Sequence, residues 1–215
     1  MLQFVSQEQI HKGWSGDQKY CVTDEKGKPY LLRIAAIEQY ERKKKEYENI
    51  RRVAALGIPM CQPIEFGVCQ EGVYAIHSWI DGAVAEEVLP TLPGEKQYAY
   101  GLEAGRILKQ IHSLRAPKEQ EDWEKRFNRK MDGKIQKYSE CPIKYENGQP
   151  FIDYINTNRG LLKGRPQVYQ HGDYHAGNMM IDRKGQLYII DFDRDDYGDP
   201  WEEYNRIVWC AQASP

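Results

Sequence analysis

The spacing of apolar positions divides the chain into a strand-rich beginning and a helix-rich remainder. Residues 20–23 and 30–34 flank the turn Glu25-Lys26-Gly27-Lys28-Pro29 and predict a β-hairpin. Residues 37–56 carry helix-forming side chains, and Gly57 and Pro59 supply the stop. Two short strands are expected around Cys69-Gln70-Glu71-Gly72, the second over residues 73–77. Past Asp81-Gly82 the period becomes helical. Leu102, Gly105, Ile107, Leu108 and Ile111 recur on one side of residues 98–114 and predict a buried central helix. Residues 118–149 are charged and aromatic and read as helix and loop, with Trp123 and Phe127 as anchors. Short apolar runs at 167–170 and 179–182 bracket the loop HGDYHAGN, and residues 187–190 lead into Asp191. A turn at Asp182-Arg183-Lys184-Gly185 would close a hairpin that returns Asp191 beside that loop.

Composition narrows the classes. The 215 residues are 40% hydrophobic and 29% charged, which suits a globular protein of one large domain or two modest lobes. A net charge of -2 offers no basic surplus for nucleic acid or an anionic membrane, and neither partner is expected. The N-terminal MLQFVSQEQIHKGWSG is too polar for a signal peptide, and no apolar run reaches membrane-spanning length, so the expected location is cytoplasmic. Five scattered cysteines without a CxxC pair read as reduced thiols. The cluster ERKKKEYE over 41–48 reads as the solvated face of a helix.

The loop carries the chemistry. Phosphoryl transfer needs a carboxylate for the attacking hydroxyl, oxygen ligands for magnesium and a cation on the phosphates. Asp173 and Asn178 lie five positions apart in one loop, and Asp191 follows at the end of an apolar strand. Asp173 is the candidate base, and Asn178 and Asp191 are the candidate Mg2+ ligands. A rival reading takes His171, Asp173 and His175 as HxDxH, with Asp191 and Asp193 completing a metal-dependent hydrolase site. Against it, the other histidines, His11, His77 and His112, fall in segments explained otherwise. A third reading is a nucleotide-binding module without transfer activity.

HGDYHAGNMMI followed by YIIDFDRDDYGDPWEE resembles the aminoglycoside phosphotransferase family, relatives of choline kinases and, more distantly, of protein kinases. The resemblance covers most of the chain and assigns Asp173 as base and Asn178 and Asp191 as metal ligands. It implies an α+β, two-lobed protein-kinase-like fold. An N-terminal nucleotide-binding lobe over 1–78, an antiparallel sheet plus helix, would precede a mainly helical catalytic lobe over 79–215 that stops short of the family's last helices. Gly13, Ser15 and Gly16 would belong to the nucleotide-covering loop. Arg33 stands where kinases carry a phosphate-contacting lysine, with Glu46 as its expected ion-pair partner. His77, Ser78, Trp79 and Ile80 would receive the base through backbone groups. The implied donor is ATP, with GTP as the alternative, and the acceptor is a small hydroxylated molecule. Asp193-Arg194-Asp195-Asp196 and Glu202-Glu203 would either bind a cationic acceptor such as an aminoglycoside or stand as solvated surface.

Overall fold

The computed structural model describes residues 2–11, 16–193 and 196–214. The first sheet is antiparallel and contains β1 (Ser6–Gln9), β2 (Gln18–Thr23), β3 (Pro29–Ala35), β4 (Pro63–Cys69) and β5 (Gly72–Ser78), in the order β1-β2-β3-β5-β4. The expected hairpin is β2–β3, with Tyr20 opposite Leu32. Asp24 makes its turn by accepting the amides of Lys26 and Lys28, each at 2.9 Å, while Gly27 takes a left-handed φ of 78°. β1 has no apolar signal, because all four of its residues are polar and exposed, and periodicity does not find it.

α1 (Tyr40–Ala54) follows a short 3-10 turn and ends before Gly57, whose φ is 72°. Its charged cluster differs from the expectation of a solvated face. The side chains of Lys43 and Glu46 are each only 10% exposed, because their i,i+3 spacing turns both toward the first sheet.

Beyond β5 come β6 (Gly82–Val84), α2 (Ala85–Val88), α3 (Gly94–Ile111), α4 (Trp123–Glu140) and α5 (Gln149–Asn158). β7 (Val168–Gln170), β8 (Met179–Asp182), β9 (Leu187–Ile189), β10 (Asp196–Gly198) and α6 (Ile207–Ala213) complete the order. β6, β8 and β9 form one small antiparallel sheet, and β7 pairs with β10 in another. Sheets and helices are largely segregated along the chain, which makes this an α+β fold. Among the described residues no helix is long and apolar enough to cross a membrane.

Two apolar clusters hold these parts. Val22, Tyr30, Leu32, Ile34, Tyr74 and Ile76 cover one face of the first sheet. The larger cluster joins Ile50 and Val53 of α1 to Ile107, Leu108 and Ile111 of α3 and to Met179, Ile181, Leu187 and Ile189 of the β8–β9 hairpin. α1 therefore presents its apolar stripe to one core and its charges to the other sheet. On α3 the buried stripe is narrower than expected, since Leu102 is 45% exposed and Gly105 is open to solvent. Five positions separate Leu102 from Ile107, a rotation of about 140° that takes it off the stripe.

Ile111→Ala, at a position 0% exposed, should lower unfolding stability by about 2–5 kcal/mol in a urea titration. Leu102→Ala should change it by about 0.5 kcal/mol or less.

Candidate active site

β7 delivers the chain into the loop at 171–178, and buried polar contacts shape that loop. His171 is 0% exposed. Its Nε2 donates to the Ile190 carbonyl at 2.8 Å and its Nδ1 accepts the Asp173 amide at 3.3 Å, which assigns the tautomer. Burial holds this imidazole below its usual range, so it is neutral. The Glu203 carboxylate accepts the amides of His171 and Gly172 at 2.8 and 2.7 Å. His175 Nδ1 accepts from the Gly177 amide at 3.1 Å and caps the 3-10 turn Ala176–Asn178.

These contacts set the three expected catalytic groups together. Asn178 Nδ2 donates to the Asp173 carbonyl at 3.0 Å, which leaves Oδ1 as the open acceptor of that amide. The Ile190 amide donates to the Asn178 carbonyl at 3.0 Å, and Met179 pairs with Ile189, so the residue before Asp191 is tied to the loop. Asp191 has a φ of 68°, an uncommon conformation for a side chain larger than glycine, and its carboxylate is 41% exposed. That exposed carboxylate and Asn178 Oδ1 are hard oxygen donors of the kind magnesium takes.

Arg33 lies at the centre of the site's charge. Asp193 accepts from its Nη1 and Nη2 at 2.7 and 2.6 Å, Asp17 accepts from Nε and Nη2 at 3.1 and 2.7 Å, and Asp191 Oδ1 lies 4.0 Å from Nη1. The expected Arg33–Glu46 ion pair is not formed. Glu46 instead binds Lys43 at 2.9 Å and Arg42 at 2.7 Å, because Asp193 matches the planar fork bidentately and Asp17 takes the remaining edge. Lys43 Nζ also reaches Asp17, at 2.9 Å. Burial works against ionising Asp193, but the hydrogen bonds and charge of Arg33 prevail and hold its carboxyl at about 2. Burial, and then the neighbouring Asp193 charge, raise Asp191 above the ordinary carboxylate range. The sequence pattern did not single out Asp17 or Lys43, and it considered Asp193 as a metal ligand or an acceptor-binding acid rather than as a partner of Arg33. The one signal pointing to them was a buried-strand arginine that needs carboxylate partners.

The linker residues Ser78, Trp79 and Ile80 line a cleft of about 430 Å³ with Pro59, Met60, Gln62, Tyr188 and the turn Asp182-Arg183-Lys184. Ser78 donates its amide to the Gln62 carbonyl at 2.9 Å and its Oγ accepts the Gln62 amide at 2.8 Å. His77 is 3% exposed beside the Tyr47 ring, and burial pushes its imidazole down to about 4. Gly13 and Ser15 lie outside the described residues, and Gly16 stands at their edge.

The described acidic residues after Asp191 have partners within the protein. Asp193 holds Arg33, Asp196 pairs with Arg126, Glu202 meets Lys130 at 2.6 Å and Glu203 holds the loop amides. Arg194 and Asp195 lie outside the described residues. Asp199 is held bidentately by Arg165 at 2.6 and 2.9 Å and caps the turn Pro200–Arg206. A side chain on Gly198 would lie 2.4 Å from Oε1 of the buried Gln170, so glycine fits where β10 meets β7. The HxDxH hydrolase reading loses its first ligand, since both ring nitrogens of His171 are engaged within the fold. Among the described residues no three His, Cys, Asp or Glu side chains converge as a metal-binding group.

A loop carboxylate, two oxygen donors and a buried cation thus meet on an α+β frame. A model of the phosphotransferase enzyme family matches residues 6–215, and the chain belongs to that family. Its fold is similar to aminoglycoside phosphotransferase APH(2″)-Ib with ADP bound (TM-score 0.70, 18% identity, 97% of this chain and 72% of that one). It is also similar to APH(2″)-IIa in a ternary complex with streptomycin and ATP (0.67, 17%, 94% and 70%). A thermostable mutant of APH(4)-Ia gives a TM-score of 0.66 at 16% identity over 98% of this chain and 77% of that one. Comparison with curated protein sequences gives no match.

The unfolded chain protonates His77 near pH 6.5 and the folded chain only near pH 4, so stability falls as pH drops through that window and levels off below it. His171 acts in the same direction. His77→Phe should flatten the pH dependence of the urea midpoint there. Glu203→Gln should cost about 1–3 kcal/mol by weakening a buried charge-assisted acceptor, and hydrogen exchange should show faster opening at the His171 and Gly172 amides.

Proposed function

We propose that the protein transfers the γ-phosphate of ATP, or of GTP, to a hydroxyl of a small molecule. One observation carries the reading: Asp173 and Asn178 share a hydrogen bond within the loop, and a backbone bond from Ile190 to Asn178 brings Asp191 alongside. ATP, ADP and GDP named with similarly folded phosphotransferases support a nucleotide donor.

In this reading residues 1–78 and 79–215 are two lobes, and the nucleotide lies between them. Gly13, Ser15 and Gly16 cover the phosphates. The base uses peptide groups of the segment His77 to Ile80 that remain after Ser78 has bound Gln62. Glu46 acts indirectly, holding Lys43 and through it Asp17 beside Arg33. Magnesium, when bound by Asn178 Oδ1 and the Asp191 carboxylate, supplies positive charge to the phosphates.

Asp173 orients the acceptor hydroxyl and takes its proton. The acceptor oxygen forms a bond to the γ-phosphorus as the bond to the β–γ bridging oxygen breaks, and nucleoside diphosphate leaves. Arg33, positioned by Asp17 and Asp193, faces the negative charge that builds on the phosphates. The reaction suits the cytoplasm, where nucleoside triphosphate is at hand.

An aminoglycoside acceptor is the second reading, favoured by the streptomycin, gentamicin and kanamycin named with similarly folded enzymes. Against it, Asp193, Asp196, Glu202 and Glu203, the acids expected to attract a polycation, are engaged within the protein.

Asp173→Ala should reduce acceptor-dependent release of nucleoside diphosphate by about 10²–10⁴-fold and leave magnesium-nucleotide affinity near the parent value. Asp191→Ala should weaken magnesium-nucleotide binding itself, as read by calorimetry. Near-normal turnover by the Asp173 variant would overturn the assignment. Tight nucleotide binding by the parent protein without transfer to any acceptor would favour the binding-module reading.

A further inference from the structure

The candidate base has a cationic neighbour that the proposed reaction does not use. Arg206 ends the turn before α6, and its Nε lies 3.2 Å from Asp173 Oδ1. This is an ion pair without hydrogen-bond alignment, since the buried Nε has no hydrogen-bond partner. The guanidinium lies 4.4 Å from the centre of the Trp209 ring, and Trp209 meets the edge of His175 at 5.7 Å. The Arg206 side chain is 23% exposed, and among the described residues its Nη groups donate to no acceptor. Stacking on Trp209 thus fixes a planar fork, with donors still open, beside the group that would receive the acceptor hydroxyl.

Glu203 is turned into the loop amides and Glu202 is paired with Lys130. Glu86, exposed on α2, approaches the loop at Gly177. At Asp173 the negative charge is offset by Arg206, which weakens the attraction for a polycation, whereas a carboxylate or phosphate would find open Nη donors in fork geometry.

We infer that the acceptor is a hydroxylated anion whose carboxylate or phosphate rests on Arg206 and whose body lies along Trp209, presenting a hydroxyl to Asp173. This rests on the phosphotransferase reading and names the acceptor class. Arg206 is then a specificity-determining residue.

The test is calorimetric binding to the full chain in magnesium and a non-hydrolysable ATP analogue. The probes are gluconate, glucose and glucosamine, matched in size but differing in charge, with glucose 6-phosphate as the phosphate arm. At least one anion should bind about tenfold or more tightly than glucose, and whichever does so identifies the carboxylate or phosphate preference. Arg206→Gln should bring that ratio close to one, and Arg206→Lys should restore part of it. Because the ratio is taken within each variant, a general loss of affinity cancels. Tightest binding of glucosamine, equal binding of all probes, or a ratio unchanged in Arg206→Gln would each overturn the inference. Magnesium-nucleotide binding, measured first on the same sample, reports separately on the phosphotransferase reading.

Discussion

The bidentate ion pair between Arg33 and Asp193, completed by Asp17, is the constraint on which the site depends. It joins β3, the approach to β2 and the segment just after Asp191, and through Lys43 it reaches α1. Charges this deeply placed are stable only when their donors and acceptors are matched, and here each guanidinium edge has a carboxylate. The arrangement fixes Asp193, and with it Asp191 two residues earlier, against the first sheet. A lysine at Arg33 would keep the charge and lose the planar match.

A second set of buried polar contacts does for the loop carrying Asp173 and Asn178 what Arg33 does for the segment carrying Asp191. His171 ties the loop to the Ile190 carbonyl, and Glu203 holds the same loop from the C-terminal side. Residues separated by about thirty positions thus converge on a few peptide groups, which is how a loop of polar residues keeps one geometry. Among the described residues other than glycine, Asp191 alone has a left-handed backbone, and its carboxylate is 41% exposed.

The apolar framework sets the distances between these polar centres. α1 contributes Ile50 and Val53 to the core that also holds α3 and the β8–β9 hairpin, while Lys43 and Glu46 face the first sheet. A shift of α1 would therefore disturb both a hydrophobic core and the charge cluster around Arg33. The helix couples packing to electrostatics in one element.

Much of this was legible in the sequence. Local signals were sufficient for the β2–β3 hairpin, α1 with its glycine stop, the core face of α3 and the loop carrying Asp173 and Asn178, because periodicity and turn chemistry act between near neighbours. The roles expected of Asp173, Asn178 and Asp191 came from residue type and spacing together with the resemblance of their motif to the aminoglycoside phosphotransferase family. α5 was not anticipated, and neither was β10, because three residues form a strand only through pairing with β7. Tertiary structure alone decided which charges meet. Arg33 chose Asp17 and Asp193 over Glu46, Glu203 turned inward to the loop amides, and Arg206 came to lie beside Asp173. Charge pairing depends on distance and desolvation across the fold, and neither quantity is carried by the order of residues along a chain.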